Sequence, residues 1–139
     1  MTAAYTGGCR CGRVRYRVDG PLRPVVACHC RECRQGSGHY WAATRAYRGD
    51  LHLERDDGLR WFDSSTAARR GFCTVCGANL FFDRHSSEGV TIGAGTLDEP
   101  TGLRLVQHIY TAEAGDYYTI ADGQPQYPYT GEIPPIEEQ

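Results

Sequence analysis

The sequence predicts a single-domain, mainly β protein that metal ions hold together. It has 17 glycines and 7 prolines, a composition that favours many turns and short strands. Several short segments are rich in aromatic and β-branched residues, and seven cysteines fall into three tight groups. A length of 139 residues suits one domain, so we expect a single zinc-binding domain over residues 1–139.

The first predicted strand is 13–18, where charged and apolar residues alternate as in a strand with one buried side. Residues 24–28 are expected to form a second, more buried strand. It leads into a Cys-His-Cys segment that predicts a metal-binding turn, with about one helical turn before residue 38. Further strands are predicted at 39–44, 51–53, 59–62, 80–82, 90–92 and 103–110, and residues 64–66 are a candidate helix cap.

The tail over residues 124–139 is predicted to lie extended on the surface or to be disordered at its end. It carries four prolines and finishes with acidic Glu137 and Glu138. The tail therefore adds no predicted element to the sheet.

Charge and hydropathy exclude several classes of protein. The 15 Lys and Arg against 17 Asp and Glu give a net charge of −2, without the basic excess of a nucleic-acid binder, which leaves open only a local basic patch. Residues 1–8 lack the features of an export signal, and no apolar run approaches the roughly 20 residues of a membrane span. We therefore expect a cytoplasmic protein with no nucleic-acid or membrane partner. An odd number of cysteines in such a protein favours metal binding over disulfides.

Two cysteine pairs predict one closed zinc site. Cys73 and Cys76, followed by Gly77, form a CxxC knuckle, a strong signal for two ligands. Cys9 and Cys11 are two residues apart, so on an extended strand both sulfurs would project from the same face. Together the four cysteines can complete the tetrahedron that zinc prefers.

The third group, Cys28, Cys30 and Cys33, has no obvious fourth ligand nearby and is the candidate for an open zinc site. Catalytic zinc commonly has three protein ligands and a free position, so this group predicts catalysis. Spacing leaves other partitions open, because the first five cysteines could share one ion or form a two-metal cluster. His29 lies between two ligands and is expected to point away from the metal. The other histidines, at 39, 52, 85 and 108, are expected at the surface or in packing.

The cysteine groups lie within longer motifs that occur in a fixed order. These are Gly8-Cys9-x-Cys11-Gly12, Cys28-His29-Cys30-x-x-Cys33-Arg34 and Arg70-Gly71-Phe72-Cys73-x-x-Cys76-Gly77, then His108-Ile109-Tyr110 and Ile120-Ala121-Asp122-Gly123-Gln124-Pro125. In this combination the chain resembles the glutathione-dependent formaldehyde-activating enzyme family, which also includes centromere protein V. The resemblance spans roughly residues 5–125.

The resemblance implies a folded β-sheet of the beta-tent type with two zinc ions. Cys9, Cys11, Cys73 and Cys76 would hold a structural zinc, and the 28–33 group would hold a catalytic zinc. The implied activity joins formaldehyde to the thiol of glutathione to give S-hydroxymethylglutathione, or cleaves the carbon-sulfur bond in reverse. The chain would then be a carbon-sulfur lyase of S-(hydroxymethyl)glutathione synthase type, with a small thiol and an aldehyde as partners.

Glutathione carries two carboxylates, so arginines near the open site are candidate substrate-binding residues. We select Arg34 and Arg70 from the four arginines closest in sequence to the cysteine groups, the others being Arg31 and Arg69. Three aromatic residues, Tyr40, Trp41 and Trp61, could wall a substrate cleft, although aromatic residues at strand spacing are more often part of a core.

Two functions other than catalysis are compatible with the same cysteines. One is a zinc-stabilised binding module, in which both metals are structural and the surface recruits a protein or nucleic acid. The other is metal or redox sensing through exposed cysteines, which predicts reversible zinc release on mild oxidation.

Overall fold

The computed structural model describes residues 5–137, which form two open β-sheets and one short α-helix. The first four residues of the N-terminal segment and the last two of the acidic tail, Glu138 among them, lie outside the described residues. The elements are β1 Tyr5–Gly8, β2 Arg15–Val18, β3 Val25–Cys28, α1 Arg31–Ser37, β4 Trp41–Tyr47, β5 Leu51–Arg55, β6 Leu59–Asp63, β7 Ala68–Cys73, β8 Asn79–Arg84, β9 Gly89–Gly93 and β10 Leu105–Ile109. The prediction of a mainly β fold is confirmed.

The larger sheet has seven strands in the order β10-β3-β4-β9-β8-β7-β6, and the smaller has three in the order β1-β2-β5. Neighbouring strands are antiparallel except for β10 and β3, which are parallel. In the described part of the chain, no helix is long and apolar enough to cross a membrane.

The core lies between the two sheets, where the alternating side chains of β2 meet those of β4, β8 and β9. Tyr16 and Val18 are fully buried, as the period of two in residues 13–18 predicts. The Tyr16 ring packs edge-on against Phe81 at 5.5 Å, a contact that adds about 0.5–1.5 kcal/mol beyond simple burial. The Tyr16 hydroxyl pairs with the Thr96 hydroxyl at 2.7 Å, so the buried phenol keeps a polar partner.

The outer face of the larger sheet carries residues that line a cleft. Along β4, Thr44 and Ala46 are buried in the core, so Trp41, Ala43 and Arg45 belong to the opposite face. Cross-strand pairing then places polar and aromatic side chains side by side on that face. The observed pairs are Cys28 with Trp41, Arg45 with Thr91, Thr91 with Phe82, and Phe82 with Arg70.

The structure differs from the sequence-based expectations in three places. Residues 64–66 form the bend of the β6–β7 hairpin and not a helix cap, because the Ser64 and Ser65 amides both donate to the Ala68 carbonyl. Strands β1 and β7 were not predicted. The tail is extended, as expected, but it also pairs with β10: the His108 amide donates to the Pro125 carbonyl, at 2.9 Å. Its Ile136 is buried.

Two cysteine clusters and an arginine-lined cleft

Four cysteines from distant parts of the chain form one cluster. The sulfurs of Cys9, Cys11, Cys73 and Cys76 all lie within 4.8 Å of one another. The Cys11 sulfur is 3.6 Å from that of Cys9 and 3.6 Å from that of Cys73. Zinc-sulfur bonds of about 2.3 Å in a tetrahedron place the sulfurs about 3.8 Å apart, so these four residues fit a zinc ion.

Turns position these four thiols. The Cys73 amide donates to the Ala78 carbonyl and the Gly77 amide to the Cys73 carbonyl, which closes the predicted knuckle. Gly77 adopts a φ of 76°, a left-handed conformation that glycine accepts without strain. The prediction that Cys9 and Cys11 lie on an extended strand is wrong. They lie in the turn between β1 and β2, where the Val14 amide donates to the Cys9 sulfur.

The other three cysteines form a separate cluster. Cys28 ends β3, Cys30 caps the N-terminus of α1, and Cys33 follows within the first turn, with all three sulfurs within 4.8 Å of one another. The Cys33 amide points toward the Cys30 sulfur at 3.5 Å. Three thiolates with such spacing fit a zinc ion that keeps one position free. The first five cysteines do not come together, since Cys9 and Cys11 belong to the four-cysteine cluster.

Without a metal, the three thiols of the second cluster share protons unequally. Hydrogen bonds from Cys28 and then Cys33 lower the pKa of Cys30 to about 2. Hydrogen bonding to Cys30, then to Cys33, and burial raise the pKa of Cys28. A thiolate is therefore held beside neutral thiols, and metal binding would release the remaining protons.

A cleft of about 550 Å³ opens beside the three-cysteine cluster, and all three of these cysteines line it. This volume falls within the usual range of ligand sites, about 300–1,000 Å³. None of the four clustered cysteines at positions 9, 11, 73 and 76 lines this cleft. Only the second cluster is therefore placed to meet a ligand in it.

The cleft is positively charged although the chain is acidic overall. Five arginines and two glutamates line it, so arginines outnumber carboxylates by three. The arginines are Arg23, Arg31, Arg45, Arg70 and Arg84, and the acids are Glu32 and Glu113. Such a surface attracts anions.

Arg70, a predicted substrate-binding residue, lies at the cysteine end of the cleft. Its Nη2 is 3.4 Å from a Glu32 carboxylate oxygen and 3.8 Å from the Cys33 sulfur. The guanidinium also lies over the Phe82 ring, 4.8 Å from its centroid. The Arg70 Nε is buried and has no hydrogen-bond partner among residues 5–137. A buried donor without a partner is unusual in a folded protein.

The other predicted substrate residues occupy different places. Arg34 does not line the cleft; its Nε donates to the Glu113 carbonyl at 3.1 Å. Of the three aromatic candidates, Trp41 lines the cleft. Tyr40 instead packs against His29, and Trp61 stacks on the core residue Phe81.

The C-terminal tail forms part of the cleft wall, which sequence reasoning missed. Thr130 and Ile133 line the cavity, and the Gln107 side chain donates to the Glu132 carbonyl at 2.7 Å. Sequence reasoning also missed Arg23, Arg45 and Arg84. For Arg45 a signal was present, since residues 41, 43 and 45 alternate with the buried positions of a strand.

Behind the three-cysteine cluster, His29 and His108 form a buried hydrogen-bond chain. His29 Nε2 is 2.9 Å from His108 Nδ1, and His108 Nε2 is 2.7 Å from an Asp122 carboxylate oxygen. The Tyr118 hydroxyl pairs with His29 Nδ1. Burial, and then the nearby His108 and His39, lower the pKa of His29 to about 4, so its ring is neutral at pH 7. As predicted, the His29 side chain points away from the three cysteine sulfurs; it instead contacts His108 and Tyr118 of the C-terminal segment.

The fold and site define a β-sheet protein with two thiolate clusters able to bind metal ions, one of which opens into a cationic cleft. The model of the family described as "Glutathione-dependent formaldehyde-activating enzyme" matches residues 4–113, well over half of the chain. The chain therefore belongs to that family.

A crystal structure of a Rhodobacter sphaeroides protein has a similar fold, with a TM-score of 0.53. The two sequences are 22% identical, and the match covers 88% of this chain and 98% of that one. At this identity the likeness concerns the fold.

Proposed function

We propose that this protein is a zinc-dependent carbon-sulfur lyase of the S-(hydroxymethyl)glutathione synthase type. It would join a small thiol such as glutathione to an aldehyde such as formaldehyde and would also catalyse the reverse cleavage. In the forward direction a sulfur-carbon bond forms and the carbonyl oxygen gains the proton that the thiol gives up. The observation that carries the proposal is the three-cysteine cluster at the wall of an arginine-lined cleft. The description of the family supports the same reaction.

We assign the two clusters different roles because their surroundings differ. Cys9 and Cys73 belong to the hydrophobic core, so a zinc ion on Cys9, Cys11, Cys73 and Cys76 would be structural. Cys28, Cys30 and Cys33 border the cleft, so a zinc ion there would be catalytic. Bound there, zinc would offer a free coordination position to a thiol sulfur or an aldehyde oxygen, with modest Lewis acidity because three anionic sulfurs offset its charge.

The side chains around this cluster would position the substrate. Arg70 and Arg31 lie at the same end of the cleft as the cysteines and could bind a substrate carboxylate. Trp41 and Phe82 would form apolar walls against which the substrate packs. Arg34 would act through its hydrogen bond to Glu113, a residue that lines the cleft. Positioning should supply much of the rate increase, since the reactants must meet in one orientation.

The test is a comparison of zinc content and rate in matched cysteine variants. The wild-type protein should retain about two zinc ions and accelerate adduct formation from glutathione and formaldehyde over the spontaneous reaction. Cys30→Ala should stay folded, lose one zinc and lose the acceleration. Cys73→Ala, in the core cluster, should instead lose stability. A zinc-loaded wild-type protein that gives no acceleration with several thiols and aldehydes would refute the proposal.

The same variants test the alternative of a zinc-stabilised binding module. In such a module both metals support the fold, so Cys30→Ala would unfold as readily as Cys73→Ala. A cytoplasmic location and the absence of a nucleic-acid partner stay predictions from the sequence.

A further inference from the structure

We propose that Arg23, Arg45 and Arg84, which line the cleft and extend away from the cysteines along β4, form a second anion-binding subsite. Its ligand would be a thiol that carries a carboxylate or phosphate remote from its sulfur. This inference deepens the proposed function and rests on it for the identity of the reaction, but the binding it describes can be measured without turnover.

The charges of the cleft are balanced at one end and unbalanced at the other. Glu32 lies against Arg70, and a Glu113 carboxylate oxygen accepts from the Arg31 amide, so both acids are used near the cysteines. No carboxylate of the described chain lies within salt-bridge distance of Arg23, Arg45 or Arg84. Three neighbouring cations without a counterion favour the binding of an anion.

Arg23 is the most informative member of this subsite because it is buried. Only 7% of the residue is exposed. Its Nε and Nη2 donate to the carbonyls of Pro24 and Ala43, and its Nη1 has no partner among residues 5–137. Buried charges in proteins are normally paired. Burial, and then the positive charge of Arg45, lower the pKa of Arg23 to about 10, so a bound anion would relieve an existing repulsion between two cations.

Two neighbouring residues, Ser87 and Gly89, hold the Arg45 side chain in place. Its Nη2 donates to the Ser87 hydroxyl. A Cβ on Gly89 would come within 2.9 Å of the Arg45 Nε and 3.0 Å of its Cζ, so glycine leaves the space that the guanidinium occupies. An arginine ordered in this way loses little further freedom when it binds a ligand.

The sheet register separates Arg45 from the cysteines, whereas Arg23 lies nearer to them, because its Nη2 donates to the carbonyl of Ala43, two residues from Trp41. Cys28 pairs with Trp41, and Arg45 lies four residues farther along β4, which corresponds to about 13 Å between backbone positions. Short thiols held at the cysteines would not reach Arg45. A thiol with an anionic group several bonds from its sulfur could contact both ends.

The test measures binding by calorimetry to the full-length, zinc-loaded protein. The ligands are glutathione, S-methylglutathione, 4′-phosphopantetheine and the short neutral thiol 2-mercaptoethanol. Arg45→Gln should weaken binding of at least one of the three long ligands about tenfold or more and leave 2-mercaptoethanol unchanged. Arg60→Gln is the matched control, because Arg60 is exposed and does not line the cleft. Arg84→Gln, at an exposed position of the subsite, provides a second variant if Arg45→Gln does not fold.

Each outcome has a defined meaning. Losses confined to the two glutathione ligands identify a carboxylate subsite, and a loss confined to 4′-phosphopantetheine identifies a phosphate subsite. Unchanged binding of all long ligands, or the same loss in Arg60→Gln, would overturn the proposal. If S-methylglutathione binding depends on Arg45 but no reaction is accelerated, the subsite stands and the proposed reaction fails. If the reaction is accelerated but binding does not depend on Arg45, the reaction stands and the subsite fails.

Discussion

The buried pair of His29 and His108 gives the sharpest stability prediction. The relative exposures are 0% for His29 and 2% for His108, so water cannot replace a lost partner. With both imidazoles neutral, the hydrogen bonds run in one direction: Tyr118 donates to His29, His29 donates through Nε2 to His108, and His108 donates through Nε2 to Asp122. Replacing His108 with leucine keeps a side chain of similar size but leaves His29 Nε2 without a partner.

The size of the effect follows from that orphaned nitrogen. An unsatisfied buried donor costs about 1–3 kcal/mol, so His108→Leu should lower the free energy of unfolding by that amount. The Asp122 carboxylate contributes little, because it is 43% exposed and water can replace the histidine. Urea unfolding of the zinc-loaded protein measures the difference, and His52→Leu at an exposed position is the control.

A double variant separates the hydrogen-bond argument from simple loss of packing. Replacing both His29 and His108 with leucine removes the donor together with its acceptor, and such paired replacements can be nearly neutral. We expect the double variant to be at least as stable as His108→Leu alone. A double variant whose loss equals the sum of the two single losses would refute the reasoning, as would a His108→Leu protein within about 0.5 kcal/mol of wild type.

Three further predictions concern the cysteine clusters, an ion pair and the tail. Cys76→Ser should remove one zinc and make the remaining fold sensitive to chelators, measured by metal analysis and thermal unfolding. Burial alone would raise the pKa of Asp83, but Arg48 and Arg69 hold that pKa below its usual value. The two ion pairs that Asp83 forms therefore stabilise the protein above about pH 4, and this stabilisation is lost as the pH falls through the lowered pKa. Asp83→Asn should therefore lower the free energy of unfolding by about 1–3 kcal/mol at pH 7, less than for a fully buried ion pair because both arginines are partly exposed. The variant should also flatten the dependence of the urea midpoint on pH below about pH 4. An unchanged pH dependence would contradict this prediction. Ile136→Ala should lower the free energy of unfolding by about 2 kcal/mol or more, because Ile136 is buried. It should also loosen the cleft wall, which faster amide exchange in the tail would reveal. A loss below about 0.5 kcal/mol would show that the tail does not pack as described.

Local patterns in the sequence predicted the four-cysteine cluster and the buried side of β2 better than the cleft. The CxxC knuckle and the alternation in residues 13–18 are short-range signals, and the structure confirms both. The knuckle needs only a tight turn around Cys73, and the alternation needs only that β2 have one buried side. Such features depend on a few neighbouring residues, so a single sequence contains them.

The cleft depends on pairing between strands that are far apart in the sequence. Arg45 and Arg70 face the same cavity because β4, β9, β8 and β7 are adjacent, an order that no local pattern reveals. The same holds for His108, which meets His29 only because β10 lies parallel to β3. The tail was predicted to be extended, but its place in the cleft wall follows from pairing with β10, which its prolines do not indicate.

The two cysteine clusters offer a metal ion the same kind of ligand, so the division of roles that we propose rests on their surroundings. Cys9 and Cys73 are buried among core side chains, where a bound ion would mainly resist unfolding. The 28–33 cluster has two neighbours that the first lacks: an open cavity on one side and the histidine chain on the other. The cavity leaves room for a ligand. On the other side, His29 lies between Cys28 and Cys30 and ties this segment to Tyr118 and His108. A segment held on one side and open to the cavity on the other suits the catalytic role that we propose, because the ligands of a reactive metal must keep their geometry while substrates exchange.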